Sequence, residues 1–142
     1  MPPDLLSLLR THFGFPSFRA GQAEAIHSLL AGHHTLAVMP TGAGKSLIFQ
    51  LAALQLNGLT LVISPLIALM KDQVDSLTRR NIPATCINSA MPAAEQAQRL
   101  QQLRQGAYRL VYIAPERLRS VAFLDALRGS ETRAQPVSLL AV

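Results

Sequence analysis

Eight consecutive residues, Met39-Pro40-Thr41-Gly42-Ala43-Gly44-Lys45-Ser46, put two glycines, a lysine and a hydroxyl into one short stretch. That combination suits a triphosphate. Glycines let backbone N–H groups turn inward with no Cβ in the way. A helix starting at once afterwards adds unpaired N–H groups and the positive end of its dipole. Lys45 has the charge and reach for the β- and γ-phosphates, and the Ser46 hydroxyl can ligate Mg2+. The pattern G-x-x-x-x-G-K-[ST] is met except at its first position, where Met39 stands. Thr41, Gly42, Ala43, Gly44, Lys45 and Ser46 are thus the candidate phosphate-binding residues, with Lys45 and Ser46 as the catalytic pair.

Such a loop works only between a strand and a helix. The apolar run Leu36-Ala37-Val38-Met39 ahead of it is expected as a strand, and Leu47, Ile48, Leu51 and Leu54 behind it recur at helical spacing, predicting a helix to about Leu56. Upstream, Leu5, Leu6, Leu8 and Leu9 predict a short helix stopped by Pro16, and Ser17 is placed to cap a second helix from Arg19 to Leu30 that ends at Gly32.

Downstream, apolar runs at Leu59–Ile63, Ala84–Ile87, Leu110–Ile113 and Val137–Val142 predict four further strands. Helical patterns separate them: Ser64-Pro65 to about Arg80, a stretch opened by Pro92 and closed by Gly106, and Ala114-Pro115-Glu116 to about Arg128. Strictly alternating strands and helices predict an α/β fold, a mainly parallel sheet with helices on both faces and right-handed crossovers. In such sheets ligands gather at the carboxyl ends of the strands. The phosphate loop, Ser64-Pro65, Asn88-Ser89 and Ala114-Pro115 all belong to that edge. Helix starts there could grip the phosphates of a nucleic-acid backbone, or could be no more than well-capped helices. Glu116 is equally ambiguous, because a carboxylate in a first turn complements the helix dipole without any catalytic role.

Bulk composition narrows the classes. The chain has 142 residues, enough for about one domain, with 49% hydrophobic and 15% charged residues. Its net charge of +5 permits nucleic-acid contact and equally fits a slightly basic enzyme domain. The single cysteine, Cys86, excludes a disulfide framework and a cysteine-based metal site, and reads as a buried strand thiol. His12, His27, His33 and His34 have no metal-ligand spacing, and His33-His34 reads as a solvated turn. No apolar stretch reaches the roughly eighteen residues of a membrane span, and Met1-Pro2-Pro3-Asp4 lacks the basic start of a secretory signal. A cytoplasmic location is expected, nucleoid-associated if the source is bacterial.

Together these segments resemble the RecQ family of ATP-dependent DNA helicases, within helicase superfamily 2, over roughly residues 10 to 142. Phe13-Gly14-Phe15-Pro16-Ser17-Phe18-Arg19-Ala20-Gly21-Gln22 is similar to the family's adenine-recognition motif. The resemblance implies that Phe15 stacks on the base, Gln22 hydrogen-bonds its edge and Arg19 supports the site. Phenylalanine at position 15 replaces a tyrosine common in the family, which keeps the stacking and loses any hydroxyl contact. Met39 to Ser46 resembles motif I, which tolerates a non-glycine first residue.

Ser64 to Val74 resembles motif Ia, Asn88-Ser89 the next DNA-side motif, and Tyr112-Ile113-Ala114-Pro115-Glu116-Arg117-Leu118 the element that precedes motif II. By that likeness Ser64, Pro65, Lys71, Asn88 and Ser89 would bind DNA, single-stranded or partly duplex, mostly through its backbone. A RecA-like P-loop NTPase fold, ATP and Mg2+ are implied with them.

In the family a strand like Leu139–Val142 runs into an acidic Asp-Glu-Ala-His motif, so residues 1–142 are expected to be a single partial ATP-binding domain, incomplete at the C-terminus and ending just before that motif. A second RecA-like domain would be a missing partner. Activity would then belong to the full-length enzyme, coupling ATP hydrolysis to 3′-to-5′ movement on DNA, and not to these residues alone. A DEAD-box RNA helicase fits less well, because the Phe-Arg-x-Gly-Gln order and the Ile-Ala-Pro-Glu-Arg-Leu run point to the DNA enzymes. A non-motor nucleotide- or nucleic-acid-binding module is the alternative from another class.

Overall fold

A computed structural model describes residues 4–40, 42, 44–128 and 137–142. The chain forms two compact units, residues 1–56 and 57–142.

The first unit is helical. Helix α1 (Leu5–Leu8) begins at Asp4, whose Oδ1 accepts the Ser7 N–H at 2.8 Å, and runs on as a π-helical turn, Leu9–Phe13. Gly14 ends it at φ 74°, two residues before the expected stop at Pro16. Helices α2 (Gln22–Leu30) and α3 (Lys45–Gln55) pack against each other. Leu9, Phe13, Ile26, Ile48 and Leu51 are buried in this unit. Its apolar content, brought to one side by helical spacing, is what holds it together.

Two expectations fail here. Ser17 does not cap α2, which starts at Gln22 after Gly21. Instead the Gln22 Oε1 reaches back to accept the Arg19 N–H at 2.8 Å. The run Leu36–Met39 is not a strand. Leu36 and Val38 are exposed. A strand exists only as a member of a ladder, and among the described residues this unit contains no other strand.

The second unit is a four-stranded parallel sheet: β1 (Leu59–Ile63), β2 (Ala84–Ile87), β3 (Leu110–Ile113) and β4 (Val137–Ala141) in the order β2-β3-β1-β4. The first three have the boundaries that their apolar runs predict. Leu59, Leu61, Ile87, Val111 and Ile113 form one apolar cluster with Leu103 of α5 (Ala93–Arg104) and Phe123 and Ala126 of α6 (Val121–Arg128). Helix α4 (Ile67–Arg79) packs on β2 and β3, with Met70 and Leu77 buried outside that cluster. Its end is marked by Asn81 at φ 61°, a left-handed position that asparagine tolerates. The sheet therefore carries helices on both faces, which is why its strands are apolar on both sides.

Proline placement shifts two helix starts. Pro65 lies outside α4, because the Ser64 Oγ accepts the Leu66 N–H at 3.2 Å in a turn ahead of the helix. Pro115 does open a helix, but a 3-10 one, Pro115–Arg119. The Ser120 Oγ then accepts the Phe123 N–H at 3.2 Å and caps α6. One long helix is replaced by two short ones because a serine cap follows the 3-10 turn.

Candidate nucleotide site and strand-end loops

In the first unit the glycine-rich stretch ends where the sequence places it. Gly42 and Gly44 have φ of 84° and 81°, and Lys45 is the first residue of α3. Thr41 and Ala43 lie outside the described residues. Lys45 is exposed and Ser46 half-buried. The first turn of α3 carries no acidic residue, so the positive end of its dipole is not neutralised there and remains available to an anion.

Two side chains from the segment before α2 hold this stretch. The Gln22 Nε2 donates to the Gly44 carbonyl at 3.0 Å, and the Arg19 Nη1 donates to the Gly42 carbonyl at 2.6 Å. Gln22 is 2% exposed despite being polar. Both ends of its amide are engaged, Oε1 with Arg19 N and Nε2 with Gly44 O. A Cβ on Gly44 would lie 2.5 Å from that Nε2. Glycine is thus required at 44 both by its φ and by the closeness of Gln22. The Phe15 ring is 46% exposed, open to a stacking partner. The donors fit a magnesium–nucleotide: a cation and a hydroxyl at a helix start, a glycine loop with free space at Gly42, and an aromatic face.

In the second unit the parallel register sets three loops side by side. Ile63 and Ile87 are both level with Ile113, so Asn88, Ala114 and Ser64 leave the sheet in a row, about 5 Å apart from strand to strand. The Ser64 N–H donates to the Ile113 carbonyl at 3.0 Å. Asn88 is buried, its Oδ1 accepting the Ala90 N–H at 3.0 Å, while Ser89 and Pro65 are exposed. Lys71 on α4 makes an exposed ion pair with Asp75 at 3.2 Å. Exposed pairs of this kind contribute little, so the ammonium is easily transferred to another anion.

A cleft of about 390 Å3 opens among Ser89, Gln96, Ala114, Glu116, Arg117 and Ser120. Arg117 donates into it toward the Gln96 Oε1. The sequence reading did not single out Arg117 or Ser120 as site residues; a cation one position after Glu116 in a strand-end loop was the available signal. Cys86 is buried as expected, and the Arg99 Nη1 donates to its carbonyl at 2.6 Å. Among the described residues no group of histidines, cysteines and carboxylates could hold a metal ion, and no helix is long and apolar enough to cross a membrane.

Comparison with known proteins places these features. Residues 19–142 match the family model described as DEAD/DEAH box helicase. The chain is 51% identical over 124 residues to the ATP-dependent DNA helicase RecQ of Bacillus subtilis, covering 87% of this chain and 21% of that protein. It is 47% identical over 131 residues to the RecQ of Synechocystis, covering 92% and 27%. The chain thus spans only 21% and 27% of the length of these relatives. A solved structure titled as a hypothetical ATP-dependent RNA helicase from Sulfolobus tokodaii superposes with a TM-score of 0.66 at 21% identity, covering 86% of this chain and 36% of that one; at that identity the likeness is one of fold. A glycine loop at a helix start, a parallel sheet with its loops along one edge, and a family match across 19–142 agree: the chain belongs to the DEAD/DEAH box helicase family.

Proposed function

We propose that this chain is the ATP-binding part of a RecQ-like DNA helicase that couples ATP hydrolysis to 3′-to-5′ movement on DNA. The observation that carries the reading is the Gly42–Ser46 stretch at the start of α3, held by Arg19 and Gln22, in a chain about half identical to proteins named RecQ.

In this reading Phe15 stacks on adenine, while Gln22, buried and with both ends of its amide already bonded, holds the glycine loop rather than reading the base edge that the resemblance implied for it. The N–H groups of the glycine loop and of the α3 start bind the phosphates. Lys45 places its ammonium against the β- and γ-phosphates, where charge develops as the phosphoryl group leaves. Ser46 offers its hydroxyl to Mg2+, which would neutralise phosphate charge when bound. Ser64, Pro65, Lys71, Asn88 and Ser89 lie on the strand-end row or the helix beside it. They would hold DNA by its backbone, a sequence-independent grip that permits translocation. Asn88 would act through the Ala90 turn that it shapes, since its side chain is buried.

Lys45→Ala in the full-length protein tests the assignment. DNA-stimulated ATP hydrolysis is expected to fall to background while DNA affinity stays within about twofold, measured by phosphate release and fluorescence anisotropy. Retained hydrolysis, or lost DNA binding, would sink it.

A further inference from the structure

Arg19 and Gln22, which the resemblance places in the adenine-recognition motif as supporting residue and edge reader, contact the phosphate loop directly. The Arg19 guanidinium and the Gln22 amide each donate to a loop carbonyl, at Gly42 and Gly44. Both carbonyls belong to residues with left-handed φ, where the backbone has the most freedom to lose.

A trans peptide is planar, and its C=O and N–H point in opposite directions. Holding the Gly44 carbonyl on the Gln22 side therefore turns the Lys45 N–H away from Gln22. That N–H is one of the four that α3 cannot satisfy internally, so it is left for a ligand. The Arg19 guanidinium holds a second carbonyl of the same loop, that of Gly42. Arg19 is tied to Gln22 in turn, since its own N–H donates to the Gln22 Oε1. The two side chains form a single brace across the loop.

We infer that Arg19 is a positioning residue for the triphosphate: it pre-organises the phosphate loop before any base arrives. The inference rests on the nucleotide-site reading above and adds to it a role that does not involve the base. Without the brace, the loop must order its glycines during binding, and that entropy is subtracted from affinity. A hydrogen bond from a charged donor corresponds to roughly tenfold in an equilibrium constant.

The experiment separates the phosphate end of the ligand from the base end. Affinities of Mg–ATP and of Mg–tripolyphosphate, which has no base, are measured by calorimetry for the full chain and for Arg19→Ala and Arg19→Lys. Arg19→Ala is expected to weaken both ligands by the same factor, about tenfold. Arg19→Lys should recover most of the loss, because a single donor makes the contact. In ligand-free protein the amide hydrogens of Gly42, Gly44 and Lys45 should exchange faster in Arg19→Ala, with those of Leu51 to Ala53 unchanged.

Weakened ATP with unchanged tripolyphosphate would overturn the inference and return Arg19 to the base. Unchanged exchange at the loop amides would also overturn it. A wild-type chain that binds neither ligand would instead remove the nucleotide-site reading, and the inference with it.

Discussion

Substituting Gly44 by alanine asks how closely the brace and the loop depend on each other. Two costs apply. Gly44 sits at φ 81°, a region that costs an L-residue about 1–2 kcal/mol. The added Cβ would also lie 2.5 Å from the Gln22 Nε2. Normally a side-chain end would swing away. Here Gln22 is 2% exposed and bonded at both ends of its amide. Moving it forfeits a hydrogen bond and leaves a buried amide unpaired, about 1–3 kcal/mol. Gly44→Ala should therefore cost the first unit about 2–5 kcal/mol in total.

In a Gln22→Ala background the clash is gone and only the backbone strain of about 1–2 kcal/mol remains. The coupling between the two sites should be about 1–3 kcal/mol. Both tyrosines, Tyr108 and Tyr112, lie in the second unit, and there is no tryptophan. Fluorescence is therefore silent on the first unit, and native-state hydrogen exchange at the buried Ile26 and Leu51 is the suitable readout. Equal costs of Gly44→Ala in both backgrounds would refute the reasoning.

Two further outcomes concern the second unit. Phe123 is fully buried against Leu59, Leu61 and Ile113, so Phe123→Ala should lower its stability by about 3–5 kcal/mol, read from urea unfolding followed by tyrosine fluorescence; a loss under about 1 kcal/mol would mean that the core closes over the gap. Thr60 is fully buried on β1, and its Oγ1 has no partner among the described residues; Thr60→Val should therefore raise the urea midpoint, with a gain of about 1 kcal/mol, and a loss instead would reveal a partner for the hydroxyl.

The sequence was most legible where a local signal was enough. Leu59–Ile63, Ala84–Ile87 and Leu110–Ile113 are apolar runs bounded by turn residues, and each became a strand with the expected ends. The start of α3 was equally clear, because the loop chemistry itself fixes where a helix must begin. Leu36–Met39 shows the limit. Its residues look like a strand, but pairing is a property of two segments, and local composition reports on only one. Ser17 was misread for a related reason: α2 starts five residues later, after Gly21 and without a side-chain cap, and the segment before it is held instead by the Gln22 Oε1 accepting the Arg19 N–H. The Gln22–Gly44 contact spans 22 positions and left no trace in local pattern. In the candidate site, residue types were legible, while the burial of Asn88 and the placement of Arg117 depended on how neighbouring loops pack.

The ladder between β1 and β4 also has a cost in time. Leu59 pairs with Val137, so the two partners are made about eighty residues apart. A ribosome adding 5–20 residues per second needs roughly 4–16 s to cover that distance. During this interval one edge of an apolar strand stays open on the nascent chain. Non-local parallel pairing is already slow to nucleate, and β1 cannot reach its place between β3 and β4 until β4 emerges. Until β4 is made, the open edge of β1 is available for pairing with any other extended segment, a hazard that belongs to synthesis and not to the finished sheet.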